Sequence, residues 1–313
     1  MKLLVTGAWS DGKNHINELE AMGHTVVFQQ QESGPLVCPA QEVEGVICNG
    51  LFLYHPIEEF ASLKYIQLTS AGYDRVSLDM IRQRKIEIHN AGDVYSTPMA
   101  EFAVGGVLQL YKKFDTFRQN QKLHRWEKRR DLLELSGKTV CIIGCGSVGK
   151  ACAKRFAAFD AKVVGVNRTV APMEYFDQVV PLEQLDEVVP ESDIVVLAIA
   201  LTEETNGLLN RDRLSMLKED AIIVNIARGG IVDTKALIEI LKSKSGIGAV
   251  LDVFDEEPLQ PEALLWDIGN VIITPHNSFI GENRRNELKK IIFKNISSVD
   301  NRETDLGQAR ERK

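Results

Sequence analysis

"SGKTVCIIGCGSVGKACAKRF" occupies residues 136–156, and its central GCGSVG begins at Gly144. An apolar run comes before the glycines and a helical pattern follows them. Gly144 permits a tight turn, Gly146 lets a pyrophosphate approach the backbone, and Gly149 lets the helix pack closely on the strand. The stretch therefore predicts a strand, a phosphate-binding loop and a helix whose N-terminus faces a dinucleotide. Cys145 within the loop is either a thiol of lowered pKa at the helix start or a small residue that fills the turn.

The next predicted strand, residues 162–166, ends at Asn167 and Arg168, where a ribose-binding Asp or Glu is expected. An Asp would repel a 2′-phosphate, whereas Asn does not, and a guanidinium forms charge-assisted hydrogen bonds with phosphate. We therefore favour NADP over NAD as the predicted cofactor. The alternative is that Asn167 binds the ribose hydroxyls of NAD and that Arg168 is a solvated loop residue.

Short apolar runs alternate with helical patterns along the whole chain, as parallel strands covered on both faces require. The first series of predicted strands is residues 3–6, 25–28, 45–48, 65–68 and 86–89. The second series is residues 139–143, 162–166, 194–198, 221–226, 248–252 and 271–274. This alternation predicts an α/β fold with two doubly wound parallel-sheet domains.

The joint between the two predicted domains lies in the turn-rich NAGDVYSTP, residues 90–98. Thr97 is a predicted helix cap with Pro98 at the first helical position, and residues 99–114 are predicted as a connecting helix. A last helical pattern, residues 282–300, has no strand to follow it, so we expect it to pack back on the first domain. The predicted domains are residues 1–94 plus 281–313, and residues 95–280.

Composition is that of an ordinary globular protein, with 44% hydrophobic and 26% charged residues among 313. The net charge of −7 argues against nucleic acid or an anionic membrane as the main partner. No apolar run is long enough to span a membrane and the first residues do not resemble a signal peptide, so we expect a cytoplasmic protein. Five cysteines without a CxxC pair predict neither a disulfide framework nor a metal site.

Three further segments place reactive side chains directly after predicted strands. Arg228 follows residues 221–226, Glu257 comes shortly after residues 248–252, and His276 follows residues 271–274. Ligands of open α/β sheets bind at the carboxyl ends of the strands. An arginine, a glutamate and a histidine there suit the reduction of a carbonyl beside a carboxylate. From the residues alone, a surface ion pair and a structural histidine are the alternatives.

Several motifs together resemble the D-isomer-specific 2-hydroxyacid dehydrogenases over most of residues 60–280. Besides the glycine loop they are SAGYD (70–74), STPMAEFAVGGVL (96–108), LTEETNGLLN (201–210), NIARGGIVD (225–233), LDVFDEEP (251–258) and TPHNS (274–278). The resemblance implies a flavodoxin-like substrate domain interrupted by a Rossmann nucleotide-binding domain, with a cleft between them. It also implies a homodimer held mainly through the nucleotide domains. We interpret the basic run 121–131 as a solvated face at that contact, in preference to a nucleic-acid patch.

The resemblance also implies a role for each site residue. His276 is the implied general acid and base, Glu257 its partner, and Arg228 the clamp on the substrate carboxylate and keto oxygen. Backbone N–H groups of Ala71 and Gly72 are implied to hold the other side of that carboxylate. The implied cofactor contacts are Gly144, Gly146, Ser147, Val148, Gly149, Asn167, Arg168, Ile199, Ala200, Thr205, Ala227, Arg228, Asp252, His276 and Ser278, with Asp252 and Ala227 at the nicotinamide carboxamide.

The expected substrate is a small 2-keto acid such as glyoxylate or hydroxypyruvate, interconverted with its D-2-hydroxy acid. The loop VICNGLFLYHP (46–56) lacks the arginine that phosphoglycerate-specific relatives tend to carry, and Glu257 stands where formate-oxidising relatives carry Gln. One alternative is a phosphoglycerate dehydrogenase-like activity. Another is a nucleotide-sensing, corepressor-like binding protein, and a third is a different Rossmann enzyme such as a hydrolase or epimerase.

Overall fold

The computed structural model describes the fold of residues 1–311 and the side chains of residues 1–299. The chain forms two compact units, unit 1 from Met1–Tyr95 and Gly281–Lys313 and unit 2 from Ser96–Ile280. Unit 1 contains β1 (Lys2–Thr6), α1 (Ile16–Ala21), β2 (Thr25–Gln29), β3 (Gly45–Cys48), β4 (Tyr65–Leu68), α2 (Leu78–Arg84), β5 (Glu87–His89) and α9 (Arg284–Glu311). Unit 2 contains α3 (Ser96–Tyr111), α4 (Phe114–Lys122), β6 (Thr139–Ile143), α5 (Ser147–Ala157), β7 (Lys162–Val166), β8 (Gln178–Val180), α6 (Leu185–Val188), β9 (Ile194–Leu197), α7 (Arg211–Ser215), β10 (Ile222–Asn225), α8 (Thr234–Ser243), β11 (Gly248–Leu251) and β12 (Val271–Ile273).

The sheet of unit 1 is parallel, with the strand order β2-β1-β3-β4-β5. This is the flavodoxin-like order, in which ligands bind beyond the carboxyl ends of the strands. Trp9, which follows β1, is fully buried and stacks on His15 with ring centroids 5.3 Å apart. The carboxyl edge of this sheet therefore lies beside a well-packed core.

Helix α9 packs on unit 1, as the sequence predicts. Its Ile292 and Ile296 are fully buried, and the Asn295 side-chain amide donates to Oε1 of Gln67 in β4 at 2.9 Å. The helix covers Arg284–Glu311, whereas the sequence pattern predicted residues 282–300. Among residues 1–311 no helix is both long and apolar enough to cross a membrane.

The sheet of unit 2 is also parallel, with the order β12-β11-β10-β9-β6-β7-β8. Successive residues of its strands enter two different cores, so that Ile142 packs on one face and Ile143 on the other. Because both faces are covered, the strands need apolar residues at most positions. The predicted α/β class with two doubly wound parallel sheets is confirmed.

In unit 2 the sequence analysis misses one strand, and its prediction of the connecting helix is wrong at both ends. The short strand β8, which pairs with β7, was not predicted. The connecting helix begins at Ser96, two residues before Pro98. Proline is tolerated within the first turn because the N–H groups there have no intrahelical partner, so the missing N–H of Pro98 removes no hydrogen bond. The helix also ends at Tyr111, since Lys113 adopts a left-handed conformation with φ 51° and separates α3 from α4.

The turn between β6 and α5 requires glycine at two positions. Gly144 has φ 96°, and a Cβ there would lie 2.4 Å from the carbonyl oxygen of Ala198. A Cβ at Gly149 would lie 2.0 Å from the carbonyl oxygen of Gly144, closer than real contacts allow. Both glycines therefore hold the strand and the helix together in the way that the sequence motif predicts.

We expect Gly149→Ala to lower the free energy of unfolding by about 2–3 kcal/mol, because the methyl group must displace backbone. The matched control is Gly105→Ala in α3, where nothing lies within 4 Å of a Cβ. That change should be neutral or stabilising by up to about 1 kcal/mol. Urea unfolding followed by circular dichroism compares the two, and equal stabilities would contradict the packing role of Gly149.

Candidate functional site

The N-terminus of α5 has the open geometry that a pyrophosphate needs. Gly146 caps the helix, and nothing lies within 4 Å of the position that its Cβ would take. Ser147 is exposed and Val148 is half-buried in the first turn. The N–H groups of a helix start and its dipole favour anions, so this loop fits the phosphates of a dinucleotide.

Cys145 fills the turn rather than serving as a reactive thiol. It is buried, and a Cβ at Gly165 in β7 would lie 2.6 Å from its Sγ. Burial raises the pKa of the Cys145 thiol to about 11. Of the two sequence-based interpretations, the lowered pKa is therefore wrong, since desolvation of the thiol outweighs the nearby charge of Lys150.

The end of β7 presents one amide and one guanidinium. Asn167 donates its backbone N–H to the Val180 carbonyl at 2.9 Å, and its Nδ2 donates to the Thr169 carbonyl at 3.1 Å. Arg168 is exposed, and within the part of the chain whose side chains are described it forms neither an ion pair nor a hydrogen bond. Its guanidinium is therefore available to an anion beside the glycine loop.

The loop after β9 is shaped by Thr205. This side chain is buried, and its hydroxyl donates to the Ala200 carbonyl at 2.7 Å and accepts from the Thr202 N–H at 2.8 Å. Ile199 is half-buried and Ala200 is exposed. Thr205 thus fixes the backbone on which the two predicted ribose contacts stand.

Arg228 is positioned by a residue that sequence reasoning missed. The buried Asn225 at the end of β10 donates through Nδ2 to the Arg228 carbonyl at 2.9 Å and accepts the Ala227 N–H at 3.1 Å. The guanidinium itself donates from Nη1 to the Ala227 carbonyl at 2.7 Å. A polar side chain at the buried end of a strand was the available signal for Asn225.

Asp252 shapes the turn that carries the histidine. It is fully buried; its Oδ1 accepts from the Thr274 hydroxyl at 2.6 Å and from the Asn277 N–H at 2.7 Å, while Oδ2 accepts from the Ser278 N–H at 2.9 Å. Ser278 is buried beside it. Both oxygens are thus engaged within the protein, and a contact of Asp252 with the nicotinamide stays a prediction.

His276 is held in an uncommon backbone conformation and directed at a carboxylate. Its φ is 52°, and its N–H donates to the Asp252 carbonyl at 2.8 Å. Nδ1 lies 2.8 Å from Oε2 of Glu257, whose Oε1 accepts the Phe254 N–H at 3.0 Å. The two side chains are 33% and 36% exposed, so the pair contributes under about 1 kcal/mol to stability. Its effect is to orient the imidazole and leave Nε2 for a ligand.

The sheet brings Arg228, Glu257 and His276 to one edge of unit 2. They follow β10, β11 and β12, which are neighbours in the sheet. A Cβ at Gly229 would lie 2.0 Å from the carbonyl carbon of Phe254, so the backbone after Arg228 packs on the segment that leads to Glu257. A guanidinium and an imidazole paired with a carboxylate can together bind an anionic carbonyl compound and exchange its proton.

Ala71 and Gly72 belong to unit 1, in the loop after β4. The Asn90 side chain donates to the Ala71 carbonyl at 2.6 Å, and the Ser70 hydroxyl donates to the Gly72 carbonyl at 3.2 Å. Within residues 1–299 neither backbone N–H of this pair donates a hydrogen bond. Two successive free donors at a strand end suit a carboxylate.

Comparison with known proteins gives consistent matches. The family model for "D-isomer specific 2-hydroxyacid dehydrogenase, NAD binding domain" matches residues 104–278. A glyoxylate reductase of Pyrococcus furiosus is 32% identical over 308 residues, covering 94% of this chain and 91% of that protein.

Solved structures agree with these matches. An NADPH-dependent glyoxylate/hydroxypyruvate reductase from Sinorhizobium meliloti, in complex with citrate, has a TM-score of 0.78 and 26% identity and covers 95% of this chain and 94% of its own. A D-isomer specific 2-hydroxyacid dehydrogenase from Xanthobacter autotrophicus, in complex with NADPH and MES, has a TM-score of 0.76 and 29% identity, with coverages of 93% and 92%.

We expect Asn225→Ala to lower kcat/KM for 2-keto acid reduction about tenfold, because it removes two hydrogen bonds that fix the backbone of Arg228. The matched control is Asn210→Ala, which removes the side-chain cap of α7 (Oδ1 to the Arg213 N–H, 3.0 Å). Loss of that cap costs about 1 kcal/mol of stability and should leave kcat/KM unchanged. Equal activities of the two variants in steady-state assays would contradict the positioning role of Asn225.

Proposed function

This chain belongs to the D-isomer specific 2-hydroxyacid dehydrogenases, NAD(P)-dependent oxidoreductases, and on that premise we propose that it interconverts a small 2-keto acid and its D-2-hydroxy acid, with glyoxylate or hydroxypyruvate as the favoured substrate. The 2.8 Å contact between His276 Nδ1 and Glu257 Oε2, which follow the two strands next to the strand of Arg228, is the observation that carries the proposal. The glyoxylate reductase of Pyrococcus furiosus supports the substrate class.

His276 supplies and recovers the proton in this reaction. Because Nδ1 faces Glu257, a proton on Nε2 can pass to the carbonyl oxygen of the keto acid, and Nε2 can take it back in the oxidation. The carboxylate of Glu257 stabilises the charged imidazole that donates the proton. A nicotinamide cofactor, when bound, would supply or accept the hydride. The proton transfer therefore needs only the imidazole of His276 and its carboxylate partner at the substrate oxygen.

Arg228 binds the substrate through its planar guanidinium. The fork of N–H groups matches the paired oxygens of a 2-keto carboxylate and holds the carbonyl in one orientation. Ala71 and Gly72 in unit 1 remain predicted ligands of the carboxylate, on the strength of their free N–H groups.

NADPH is the proposed preferred cofactor. Arg168 is exposed and without a partner among the described side chains, directly after the strand that follows the glycine loop. An arginine at this place favours the 2′-phosphate of NADPH. Residue 167 is the uncharged Asn167 and not an acid, which would repel that phosphate. The Sinorhizobium meliloti reductase is named as NADPH-dependent and the Xanthobacter autotrophicus dehydrogenase was solved in complex with NADPH, which supports the same preference.

We also propose that two copies of the chain form a homodimer through unit 2. The segment of α4 and the loop after it exposes Phe114, Leu123 and Trp126, the last with 95% of its surface accessible. Large apolar side chains grouped on a surface mark interaction sites. The basic residues of run 121–131 then lie around this apolar group as a polar rim.

We expect His276→Ala to lower kcat at least a thousandfold while changing the affinity for NADPH less than threefold, because it removes the proton donor and leaves the glycine loop intact. Absorbance at 340 nm with NADPH and a panel of 2-keto acids measures turnover, and fluorescence titration measures NADPH binding. Lys235→Ala, an exposed position in α8, is the control and should retain full activity.

Retained turnover in His276→Ala would end the assigned role of the imidazole. In the same panel, wild-type preference for 3-phosphohydroxypyruvate would favour the phosphoglycerate dehydrogenase-like alternative. Tight NADPH binding without turnover of any acid would favour the corepressor-like one.

We expect Arg168→Ala to raise KM for NADPH ten- to a hundredfold and KM for NADH less than twofold, since hydrogen bonds to a charged group are worth about 1.5–3 kcal/mol. Arg211→Ala, which changes another exposed arginine of unit 2, should change neither constant. An equal loss for both cofactors would remove the 2′-phosphate argument.

A further inference from the structure

A carboxylate outside the residues considered so far lies at the carboxyl edge of the unit 1 sheet. Oε1 of Glu32 accepts hydrogen bonds from the Thr6 hydroxyl at 2.7 Å and from the Asn49 N–H at 2.7 Å. Oε2 accepts from the Gly50 N–H at 2.7 Å. Thr6 ends β1, Glu32 follows β2, and Asn49 follows β3, so one side chain connects three strand ends.

These donors form an anion site that the protein fills with its own carboxylate. Two successive backbone N–H groups and a hydroxyl directed at one point are an arrangement that binds anions. Nε2 of His55 lies 3.1 Å from the Glu32 backbone carbonyl oxygen and 3.0 Å from that of Gly34, which fixes the segment carrying the carboxylate. Among the side chains of residues 1–299, no cation forms an ion pair with Glu32. Glu32 therefore has no ion-pair partner there, although its Oε2 and Cδ of Arg75 would both lie within 4 Å of a Cβ at Gly50.

The filled site lies beside the predicted substrate ligands of unit 1. Strands β3 and β4 are paired, with Cys48 opposite Leu68, and the Thr69 N–H extends the pairing to the Cys48 carbonyl at 2.8 Å. The loop after β3 holds Asn49 and Gly50, and the loop after β4 holds Ala71 and Gly72. Since neighbouring strands are about 5 Å apart, the Glu32 carboxylate and the N–H groups of Ala71 and Gly72 are separated by roughly 10 Å.

We propose that Glu32 restricts the enzyme to 2-keto acids whose side chain is uncharged. The inference rests on the proposed function, in which Ala71 and Gly72 hold the substrate carboxylate. A second anionic group on the substrate meets a like charge at this edge and finds the three donors already occupied. An alkyl or hydroxymethyl side chain meets neither obstacle. Glu32 is therefore a specificity-determining residue that acts by exclusion.

The test compares two acids of similar shape and different charge. 2-Ketovalerate and 2-ketoglutarate differ in a terminal methyl or carboxylate, and hydroxypyruvate and 3-phosphohydroxypyruvate form a smaller pair. We expect wild-type protein to prefer the uncharged member of each pair. Glu32→Gln, which keeps the shape and one acceptor oxygen, should raise the relative kcat/KM of the anionic member about tenfold, equivalent to about 1.4 kcal/mol. In wild-type protein, added salt should also reduce the ratio of kcat/KM for the uncharged acid to kcat/KM for the anionic acid, because salt screens the repulsion between Glu32 and the second anionic group.

Glu44→Gln is the matched control. Glu44 also accepts a backbone hydrogen bond, from the Lys2 N–H at 2.8 Å, but at the amino end of β1. Its substitution should leave the ratio of the two kcat/KM values unchanged. Thermal unfolding and NADPH titration of each variant separate a change in selectivity from a general loss of structure.

The outcomes distinguish this inference from the proposed function. No turnover of any 2-keto acid by wild-type protein would end the proposed function itself. Turnover with an unchanged ratio in Glu32→Gln would overturn the inference and leave Glu32 as a tether of the loop after β3. A wild-type preference for the anionic acids would also overturn it and would assign the selection to Arg75, whose Cδ would lie 3.8 Å from a Cβ at Gly50.

Discussion

The buried carboxylate of Asp252 determines the shape of the turn on which the site depends. A buried charge is costly unless hydrogen bonds compensate it, and here the Thr274 hydroxyl and the N–H groups of Asn277 and Ser278 do so. A left-handed conformation at a non-glycine residue costs about 1–2 kcal/mol. His276 keeps this left-handed conformation because hydrogen bonds on both sides of the turn fix the course of the backbone. The direction of the imidazole toward Glu257 is thus a consequence of Asp252.

Carboxylates and cations serve different purposes at the strand ends. Asp252 in unit 2 and Glu32 in unit 1 both accept backbone hydrogen bonds and so shape loops of their own unit. Arg168, by contrast, is exposed and available to a ligand. The overall charge of −7 therefore says little about the site, since a ligand responds to the charges that the fold leaves accessible.

Features that depend on local pattern were predictable from the sequence, and those that depend on distant partners were not. The bounds predicted for β3, β4, β6 and β7 match the structure, because strands buried on both faces are mostly apolar and stand out from the polar segments around them. Strand β8 has only three residues, one of them exposed, and does not stand out in this way. The break between α3 and α4 at Lys113 contains neither glycine nor proline, so the sequence pattern does not indicate it. In the site, strand-end positions indicated His276 and Glu257, but the engagement of Asp252 depends on residues more than 20 positions away.

The insertion of unit 2 within unit 1 has a consequence for biosynthesis. Asn295 of α9 contacts Gln67, 228 residues earlier in the chain. During synthesis the first segment of unit 1 therefore cannot pack against α9 until that helix has been made. At 5–20 residues per second, translation across that interval takes roughly 10–45 s. During this time the side of the unit 1 sheet that α9 covers is exposed, whereas unit 2 is continuous in sequence and has all of its strands. Unit 2 can therefore complete its fold before unit 1, whose sheet stays uncovered on that side until α9 has been synthesised.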